Sequence, residues 1–524
     1  MLDRLQGCSK LKKTVENCKA WCKVALLFAC SLMTACRGGG IAEQIQTTPS
    51  PQGQSTEVQL ISGATNRGTA NGPSSSPAMS DDGRFVAFSS QATNLLSGPM
   101  TGIPNGHSVY LYDTCRVAGA SCVPKTTLAT IAQNGGIPNG PCGSSAEQPV
   151  ATSADGRYYA FACVASNMVP QPNNGHSQVL WSDTCLNAGN SCVPQTILIS
   201  RSNAGMAGNQ DSDQVAISRD GRFVAFRSSA TNLVVTPSTP ANVVQIYLRD
   251  TCNALAPDSC TPQTVLVSQS STGVPANSSS LGGSSEPWMD ASGRLVVFSS
   301  AATNLDSRAT AGLPQVYMRN TCGFPPNSIP SCTPTTELAI FNTLGNVPTG
   351  SANQPQISPD GRYIAFASNA TDLLNGNLVL NGRSQIFVRD TCFGAPPACI
   401  PVNTLISLGI DEASGNDDSF FPSISLNGRF VGWNSKATNL NMSARAGFRE
   451  AFVRDTCVGV QMCTPTTMLI SKKSQGQEAN ADTGLNSRVA ISNDGEVAAF
   501  ASSSTNLAPN STGLGDIFLT LNAF

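Results

Sequence analysis

The sequence predicts an all-β protein, a seven-bladed β-propeller of four-stranded antiparallel blades. Three observations support this prediction. A phrase such as ISPDGRYIAF (357–366) recurs seven times in 524 residues. The body of the chain is rich in Ser, Thr, Asn, Gly and Pro and has short Val, Ile and Phe runs, which suits many short strands joined by turns. The two ends of the repetitive region supply complementary parts of one unit, as a closed ring requires.

The repeat has a nearly constant period. The glycines of the recurring phrase follow one another at intervals of 65 to 73 residues. Such a period indicates a repeat architecture, and a chain of this length exceeds one simple core. The seven glycines are Gly83, Gly156, Gly221, Gly293, Gly361, Gly428 and Gly495.

Each unit contains four strand signals in a fixed order. In the fifth unit, strand one is PQIS (355–358), and an Asp-Gly turn leads to strand two, RYIAF (362–366). Asp-Gly is a tight-turn signal, because Gly accepts a positive φ and Asp bonds the backbone of its own turn. Strand three, QIFVRDT (385–391), follows the ATDL loop, and strand four, NTLISL (403–408), follows a loop bounded by cysteines. We therefore expect one antiparallel blade per unit.

The ends of the repetitive region predict how the ring closes. The last unit ends with DIFLTLNAF (516–524) and lacks its fourth strand, whereas the segment that begins at residue 56 matches a fourth strand. We expect strand 57–62 to pair beside strand 515–521, so that the N-terminal strand completes the last blade and leaves no open sheet edge.

The recurring phrase resembles a known family of repeats. ISPDGRYIAF followed by an IFVRD strand is similar to the WD40-like, TolB-type propeller repeat (PD40) of bacterial envelope proteins, over about residues 56–524. The resemblance implies a propeller that is usually exported and often serves in protein or ligand binding. A loop bounded by cysteines replaces the tight turn that this family usually has after VRD.

The first 36 residues carry the features of an export signal. Lysines between residues 10 and 23 precede the apolar stretch VALLFACSLMTA (24–35), which is too short to span a bilayer. LMTAC resembles the lipobox of bacterial lipoproteins, and this resemblance implies that Cys36 is the lipidated first residue of the mature chain. Because Met33 is not the residue preferred in a lipobox, an ordinary cleaved signal peptide stays an alternative.

These features divide the chain into three parts. We expect a signal peptide with a lipobox-like end (1–36), a flexible polar linker (37–55) and the propeller (56–524). The expected location is the cell envelope, as a lipoprotein of the periplasm or outer membrane that contacts the membrane only through its N-terminal lipid anchor.

The cysteines predict a series of local disulfides. Six units carry two cysteines around the loop between strands three and four, where Cα atoms of neighbouring strands come within bridging distance. Disulfides at this density indicate an oxidising compartment. Two further cysteines precede strand one and end strand two of the second unit, which predicts a seventh disulfide. A metal site is disfavoured, because one pair per blade does not converge. The predicted pairs are Cys115/Cys122, Cys185/Cys192, Cys252/Cys260, Cys322/Cys332, Cys392/Cys399, Cys457/Cys463 and Cys142/Cys163.

The candidate ligand-binding residues lie in two acidic connections between units. GNQDSDQ (208–214) and GNDDSFF (415–421) depart from the repeat, and their carboxylates are Asp211, Asp213, Asp417 and Asp418. They are candidates for a cation site, for which oxygen ligands favour Ca²⁺, or for the mouth of a site for a basic ligand. The alternative is a pair of solvated acidic turns. We expect no other cofactor and name no catalytic residue, because the Asp and Arg residues that recur in the units occupy symmetric scaffold positions.

The sequence favours a non-enzymatic binding or scaffold module. A propeller presents loops on a rigid scaffold, where recognition usually lies, and we expect a monomer that binds an envelope protein, peptide or glycan. The net charge of −2 and pI of about 5.8 disfavour nucleic acid. One alternative is a hydrolase or lyase acting on polysaccharide at the channel mouth, which convergence of carboxylates, Arg and Tyr from several blades would favour. A second alternative is a purely structural envelope component.

Overall fold

A computed structural model describes residues 57–524 except for 66–67, 98–105, 134, 145–148, 172, 190, 254–258, 279–284, 310–311, 324–328, 330, 376–377, 379, 445–446 and 474–475. The described residues form seven four-stranded antiparallel sheets, which confirms the predicted seven-bladed propeller. Among these residues, no helix is long and apolar enough to cross a membrane. The predicted signal peptide, Cys36 and the linker lie outside the described residues.

The strands follow one another along the chain in sets of four. Blade 1 contains β2–β5, blade 2 β6–β9, blade 3 β10–β13, blade 4 β14–β17, blade 5 β18–β21 and blade 6 β22–β25, while blade 7 combines β26–β28 with β1. The strands are β1 (Glu57–Leu60), β2 (Ser74–Met79), β3 (Phe85–Ser90), β4 (Ser108–Asp113), β5 (Lys125–Leu128), β6 (Val150–Thr152), β7 (Tyr158–Cys163), β8 (Gln178–Asp183), β9 (Gln195–Leu198), β10 (Ser212–Ile217), β11 (Phe223–Ser228), β12 (Gln245–Asp250), β13 (Gln263–Leu266), β14 (Ser285–Met289), β15 (Leu295–Ser300), β16 (Gln315–Asn320), β17 (Thr335–Leu338), β18 (Ala352–Ile357), β19 (Tyr363–Ser368), β20 (Gln385–Asp390), β21 (Val402–Leu405), β22 (Ser419–Ile424), β23 (Phe430–Ser435), β24 (Glu450–Asp455), β25 (Thr466–Leu469), β26 (Ala490–Ile491), β27 (Val497–Ser502) and β28 (Asp516–Leu521).

The ring closes through β1 as predicted. Glu57 pairs with Leu521 and Leu60 with Phe518 in an antiparallel register, and the Ile61 N–H extends the ladder to the Ile517 carbonyl at 3.0 Å. The N-terminal strand is thus the outermost strand of blade 7. The order β1-β28-β27-β26 gives this blade the same four-stranded form as the other six.

The Asp-Gly turns join strand one to strand two in each blade. In blade 1, the carboxylate of Asp82 accepts hydrogen bonds from the Ser80 hydroxyl (2.6 Å) and the Arg84 N–H (2.9 Å). The turn glycine must be glycine for two reasons. At Gly221, φ is +77°, and a Cβ atom would lie 2.2 Å from the ring of Tyr158 in the preceding blade. The recurring Asp and Gly therefore build turns and let adjacent blades pack closely.

The hydrophobic core lies between neighbouring blades. Aromatic side chains from strands two and three stack within a blade, as Phe226 and Tyr247 do with ring centroids 5.7 Å apart. These rings are fully buried and pack against the apolar residues of the adjacent blade. Each blade is therefore stabilised mainly by its two neighbours, as in other repeat folds.

Seven disulfides join the cysteines in the predicted pairs. Six bridge the loops between strands three and four, with Cα atoms 5.5 to 5.7 Å apart. The seventh joins Cys142 to Cys163, which ends β7. Because each of the six loops starts at the end of strand three, the Asp-Gly turns and these loops share one end of the ring, here called the bottom. The connections between blades lie at the other end, the top.

The disulfide loop of blade 4 differs from the other five at Cys332. The bridge between Cys322 and Cys332 closes a sequence separation of 10, whereas the other loops have separations of 6 to 8. The Sγ atom of Cys332 lies 4.0 Å from the amide oxygen of Asn320, at the position where the other five blades have an Asp. Cys332 is therefore paired as predicted. Blade 4 departs from the repeat because a neutral amide, that of Asn320, lies beside this disulfide in place of a carboxylate.

Candidate binding cavity on the propeller axis

Strand one of each blade faces the propeller axis and encloses a cavity. The cavity has a volume of about 160 Å³, and residues of all seven blades line it. Much of the lining comes from the second half of strand one and from the turn that follows it, and the lining extends along strand one to Ser76, Glu286 and Phe421. The candidate site therefore lies towards the turn end of the channel, away from the acidic top connections that the sequence singled out.

Two rings of residues, with one member from each blade, form part of the wall. The fourth residue before the turn glycine is apolar in every blade except blade 2, which has Thr152. From blade 1 to blade 7 these residues are Met79, Thr152, Ile217, Met289, Ile357, Ile424 and Ile491. The second residue before that glycine forms the rim at the bottom: Asp81, Ala154, Arg219, Ala291, Pro359, Leu426 and Asn493. Backbone hydrogen bonds run around the rim, from the Asn493 N–H to the Asp81 carbonyl and from the Asp81 N–H to the Ala154 carbonyl, each 2.9 Å. The rim is therefore a rigid part of the scaffold.

A hydrogen-bonded belt crosses strand one above these rings. The Gln214 side chain accepts the Glu286 N–H (2.8 Å), the Glu286 carboxylate accepts the Gln354 N–H (2.6 Å), and the Gln354 side chain accepts the Phe421 N–H (2.7 Å). These four residues have φ between 44° and 55°, a conformation that costs roughly 1–3 kcal/mol each for residues other than Gly. The belt links blades 3 to 6, and its members Glu286 and Phe421 also line the cavity.

Trp288 departs from the repeat inside the cavity. It occupies the fifth position before the turn glycine, where five other blades have Ala or Ser and blade 5 has Gln356. Unlike Trp181 and Trp433, which are fully buried, Trp288 is partly exposed. It therefore gives blade 4 a large aromatic surface where the other blades leave room.

Arg488 of blade 7 reaches the same region. Its guanidinium lies 5.8 Å from the centroid of the Trp288 ring, a cation–π distance. It donates hydrogen bonds to the carbonyls of Pro422, Gln354 (3.2 Å) and Pro355 (3.3 Å). Only 9% of Arg488 is exposed, so this cation mainly holds strands of blades 5, 6 and 7 together.

The charged groups of the cavity are engaged by their neighbours. Burial raises the pKa of Asp81, and the ion pair with Arg219 opposes this rise. Burial also raises the pKa of Asp290, whose carboxylate accepts the Ser292 hydroxyl (2.6 Å) and the Leu295 N–H (2.9 Å). Glu286 belongs to the belt. The wall is thus an apolar surface with charges tied into the scaffold, which suits binding of an apolar group.

The acidic residues predicted to bind a ligand lie in two separate blades. In blade 3, Asp211 accepts the Ser177 N–H (2.8 Å), and Asp213 forms a bidentate ion pair with Arg227 (2.7 Å for both contacts). In blade 6, Asp418 accepts the Ser384 N–H at 2.8 Å, and Asp417 lies 3.6 Å from Arg383.

The two acidic pairs do not form one cluster. In the described part of the chain, groups of three candidate metal ligands occur only where an Asp lies beside two disulfide-bonded cysteines. Such cysteines do not offer thiolate ligands. Cys332 and its partner Cys322 belong to no such group, because Asn320 replaces the Asp there. Ca²⁺ binding by the four carboxylates stays a prediction. Here Asp211 and Asp418 accept backbone hydrogen bonds, while Asp213 and Asp417 face arginine side chains.

Sequence reasoning missed Trp288, Glu286 and Arg488. The signal was present in the aligned repeats. Trp288 stands at a position where most units have a small residue, and Glu286 and Arg488 are the charged residues at a position that is otherwise uncharged. The predicted site residues lie in the connections between units, which depart from the repeat more visibly. Strand one converges on the axis of a propeller, so its departures are the ones that reach a central cavity.

Of three comparisons with known proteins, the one with solved structures found matches. No protein-family model matches the chain, and no curated protein matches it. TolB from Acinetobacter baumannii is similar in structure, with 15% identity, 72% of this chain and 62% of that chain covered, and a TM-score of 0.34. Hydrazine synthase from Kuenenia stuttgartiensis has 13% identity, 86% and 95% coverage and a TM-score of 0.36. An oligogalacturonate lyase in complex with manganese has 9% identity, 90% and 97% coverage and a TM-score of 0.43. These similarities concern the fold alone.

Proposed function

We propose that this chain is an exported, lipid-anchored binding module that takes one apolar side chain of a protein or peptide ligand into its axial cavity. The observation that carries this proposal is the cavity of about 160 Å³ with an apolar ring and the partly exposed Trp288. A protein cavity of about 150 Å³ accommodates a benzene-sized group. One Leu- or Phe-sized side chain is therefore the ligand that matches in size and chemistry.

Export and anchoring are supported by the sequence. The leader, the lipobox-like LMTAC and Cys36 favour a lipoprotein of the cell envelope. Seven disulfides fit an oxidising compartment such as the periplasm. Mass spectrometry of the mature N-terminus tests this part, and a mature chain that begins at an unmodified residue other than Cys36 would contradict it.

The cavity is tested by calorimetric titration with small probes. We expect N-acetyl-phenylalaninamide or N-acetyl-leucinamide to bind the wild type, whereas N-acetyl-aspartamide does not. Trp288→Ala restores the residue that four other blades have at this position, so it should fold and weaken binding of the preferred probe at least tenfold. Met206→Ala alters a side chain that is 64% exposed on a top connection, and this control should bind as the wild type does.

The biological ligand is sought with the same variants. The tethered wild type, Trp288→Ala and Met206→Ala serve as baits in solubilised envelope, and the ligand is the protein that the first and third capture and the second does not. Equal capture by all three, together with equal probe binding, would overturn the cavity as the binding site.

An enzyme acting on polysaccharide is the second candidate. Asp81, Glu286 and Asp290, with Arg219 and Arg488, converge on the cavity from four blades, and paired carboxylates are the usual groups of glycoside hydrolysis. Incubation with a panel of envelope and uronate-containing glycans tests it. Turnover by the wild type that is lost in Glu286→Gln, with no probe binding in the cavity, would reverse the ranking of the two functions.

A further inference from the structure

The outer grooves between blades contain a repeated pair of positions. In four grooves, strand three of one blade contacts the segment just after strand four of the preceding blade. Arg319, for example, donates to the Ser270 carbonyl at 3.2 Å, and the Arg389 guanidinium lies 5.4 Å from the centroid of the Phe341 ring. The aligned residue pairs in these grooves are Arg201–Arg249, Gln269–Arg319, Phe341–Arg389 and Lys472–Thr520.

The groove between blades 2 and 3 is the one of these four that pairs two cations. Arg249 on β12 is only 2% exposed. Its Nη1 donates to the Thr264 hydroxyl (2.7 Å) and to the Arg201 carbonyl (3.4 Å). The Nε atoms of both Arg249 and Arg201 are buried and have no hydrogen-bond partner. A buried N–H without a partner is destabilising, so two of them in one groove call for an acceptor.

The surrounding carboxylates do not supply that acceptor. Asp250, the neighbour of Arg249 in sequence, is held by bidentate bonds from Arg222 of 2.6 and 2.8 Å. No carboxylate of the described chain forms an ion pair with Arg201 or Arg249. Burial, together with the nearby charge of Arg201, lowers the pKa of Arg249 to about 10. The charge of Asp250 opposes part of this shift, and the groove therefore places two cations together without a carboxylate ion-paired to either.

We propose that the groove between blades 2 and 3 binds a phosphate or sulfate oxyanion through Arg201 and Arg249. Such an anion offers several acceptor oxygens to planar guanidinium donors. Arg201 is partly exposed, so an anion from solution or on a larger ligand can reach it. The site lies in an outer groove and is independent of the axial cavity.

The test compares the wild type with Arg201→Gln, which copies Gln269 of the next groove. Calorimetric titration at constant ionic strength uses inorganic phosphate, sulfate and acetate as separate probes. We expect phosphate or sulfate to bind the wild type, and to bind the variant at least tenfold more weakly. Acetate that binds as tightly as these anions would indicate a general site for carboxylates and would contradict the proposal. Lys472→Gln removes a cation from the aligned position beside neutral Thr520 and should leave binding unchanged.

Thermal unfolding gives a second readout that does not depend on direct detection of binding. Sulfate raises the midpoint of most proteins by exclusion from their surface, so the specific part is the difference between the wild type and Arg201→Gln. Without oxyanion, the variant should unfold at a higher temperature because the like charges are gone, and added sulfate should remove or reverse this order. Equal responses of both proteins to sulfate, with equal titrations, would overturn the proposal.

Discussion

At the scale of single residues, the blades exchange side chains in compensating pairs. In blade 1, the Ser80 hydroxyl donates to Asp82, and in blade 4 the roles are exchanged, since Ser292 donates to Asp290 with the same distance of 2.6 Å. The turn keeps its hydrogen bond although both residues have changed. This exchange supports the interpretation of the recurring acidic residues as scaffold, because a catalytic group would not tolerate relocation by two residues.

Asp306 predicts a pH dependence of stability. Bidentate hydrogen bonds from Arg308 hold the pKa of Asp306 well below its ordinary value, and the Leu338 N–H adds to this effect. Because the folded-state pKa is depressed, the stabilisation is present above the ordinary pKa of about 4 and is lost as the pH falls through the folded-state pKa. Asp306→Asn should lower the free energy of unfolding by about 1–2 kcal/mol near neutral pH.

Denaturant unfolding across the acid range measures this effect. The difference in the free energy of unfolding between the wild type and Asp306→Asn should shrink steadily as the pH is lowered below about 4. A gap that keeps its size at every pH would show that the carboxylate charge contributes nothing and that only packing was altered.

At the scale of elements, the sequence predicted what depends on local signals. Strands, turns and disulfides are encoded within single units, where Asp-Gly turns and paired cysteines stand at fixed distances from apolar runs. The belt through Gln214, Glu286 and Gln354 was not predicted, because its bulges arise where strand one of neighbouring blades crowds the axis. Its hydrogen bonds join residues about one repeat apart, and no local pattern marks them.

The first residue of strand three joins neighbouring blades. In blades 2 and 5, the amides of Gln178 and Gln385 accept a serine hydroxyl and donate to a carbonyl of the next connection, at 3.0 and 2.7 Å. In blade 6 this position holds Glu450, which is 1% exposed and accepts the Ser471 hydroxyl. A carboxyl side chain has no N–H group, so blade 6 differs from blades 2 and 5 at this position.

Glu450→Gln should therefore raise the thermal midpoint of the protein. The substitution supplies the amide N–H that Gln178 and Gln385 donate to the next connection, and one such hydrogen bond contributes about 0.5–1.5 kcal/mol. Gln385→Glu makes the reverse change in blade 5 and should lower the midpoint by a similar amount. If both substitutions shift the midpoint in the same direction, the comparison between the blades is wrong.

At the scale of the whole molecule, the junction of blades 1 and 7 differs from the other junctions. Six blades pair an Arg near the start of strand two with a residue at the end of strand three, as Arg84 does with Asp113 at 3.0 Å. In blade 7 these positions hold Glu496 and Leu521. Arg116 of blade 1 instead binds Glu496 (2.6 Å) and Asp494 (2.7 Å). The sequence could not indicate this contact, because it joins residues that become neighbours only when the ring closes.

Ring closure itself predicts the largest change in stability. Deleting residues 56–63 removes β1, uncovers the ladder edge of β28 and takes Ile61, which is 2% exposed, out of the core. We expect a much lower thermal midpoint and aggregation through the unpaired edge. Circular dichroism measures the midpoint, and light scattering measures the aggregation. An equally long deletion within the predicted linker, residues 40–47, should leave the midpoint unchanged. The ion pairs of Arg116 are exposed at Asp494 and Glu496, so they contribute little to stability alone. If the β1 deletion melts at the same temperature as the linker deletion, the ring is held closed by something other than this strand.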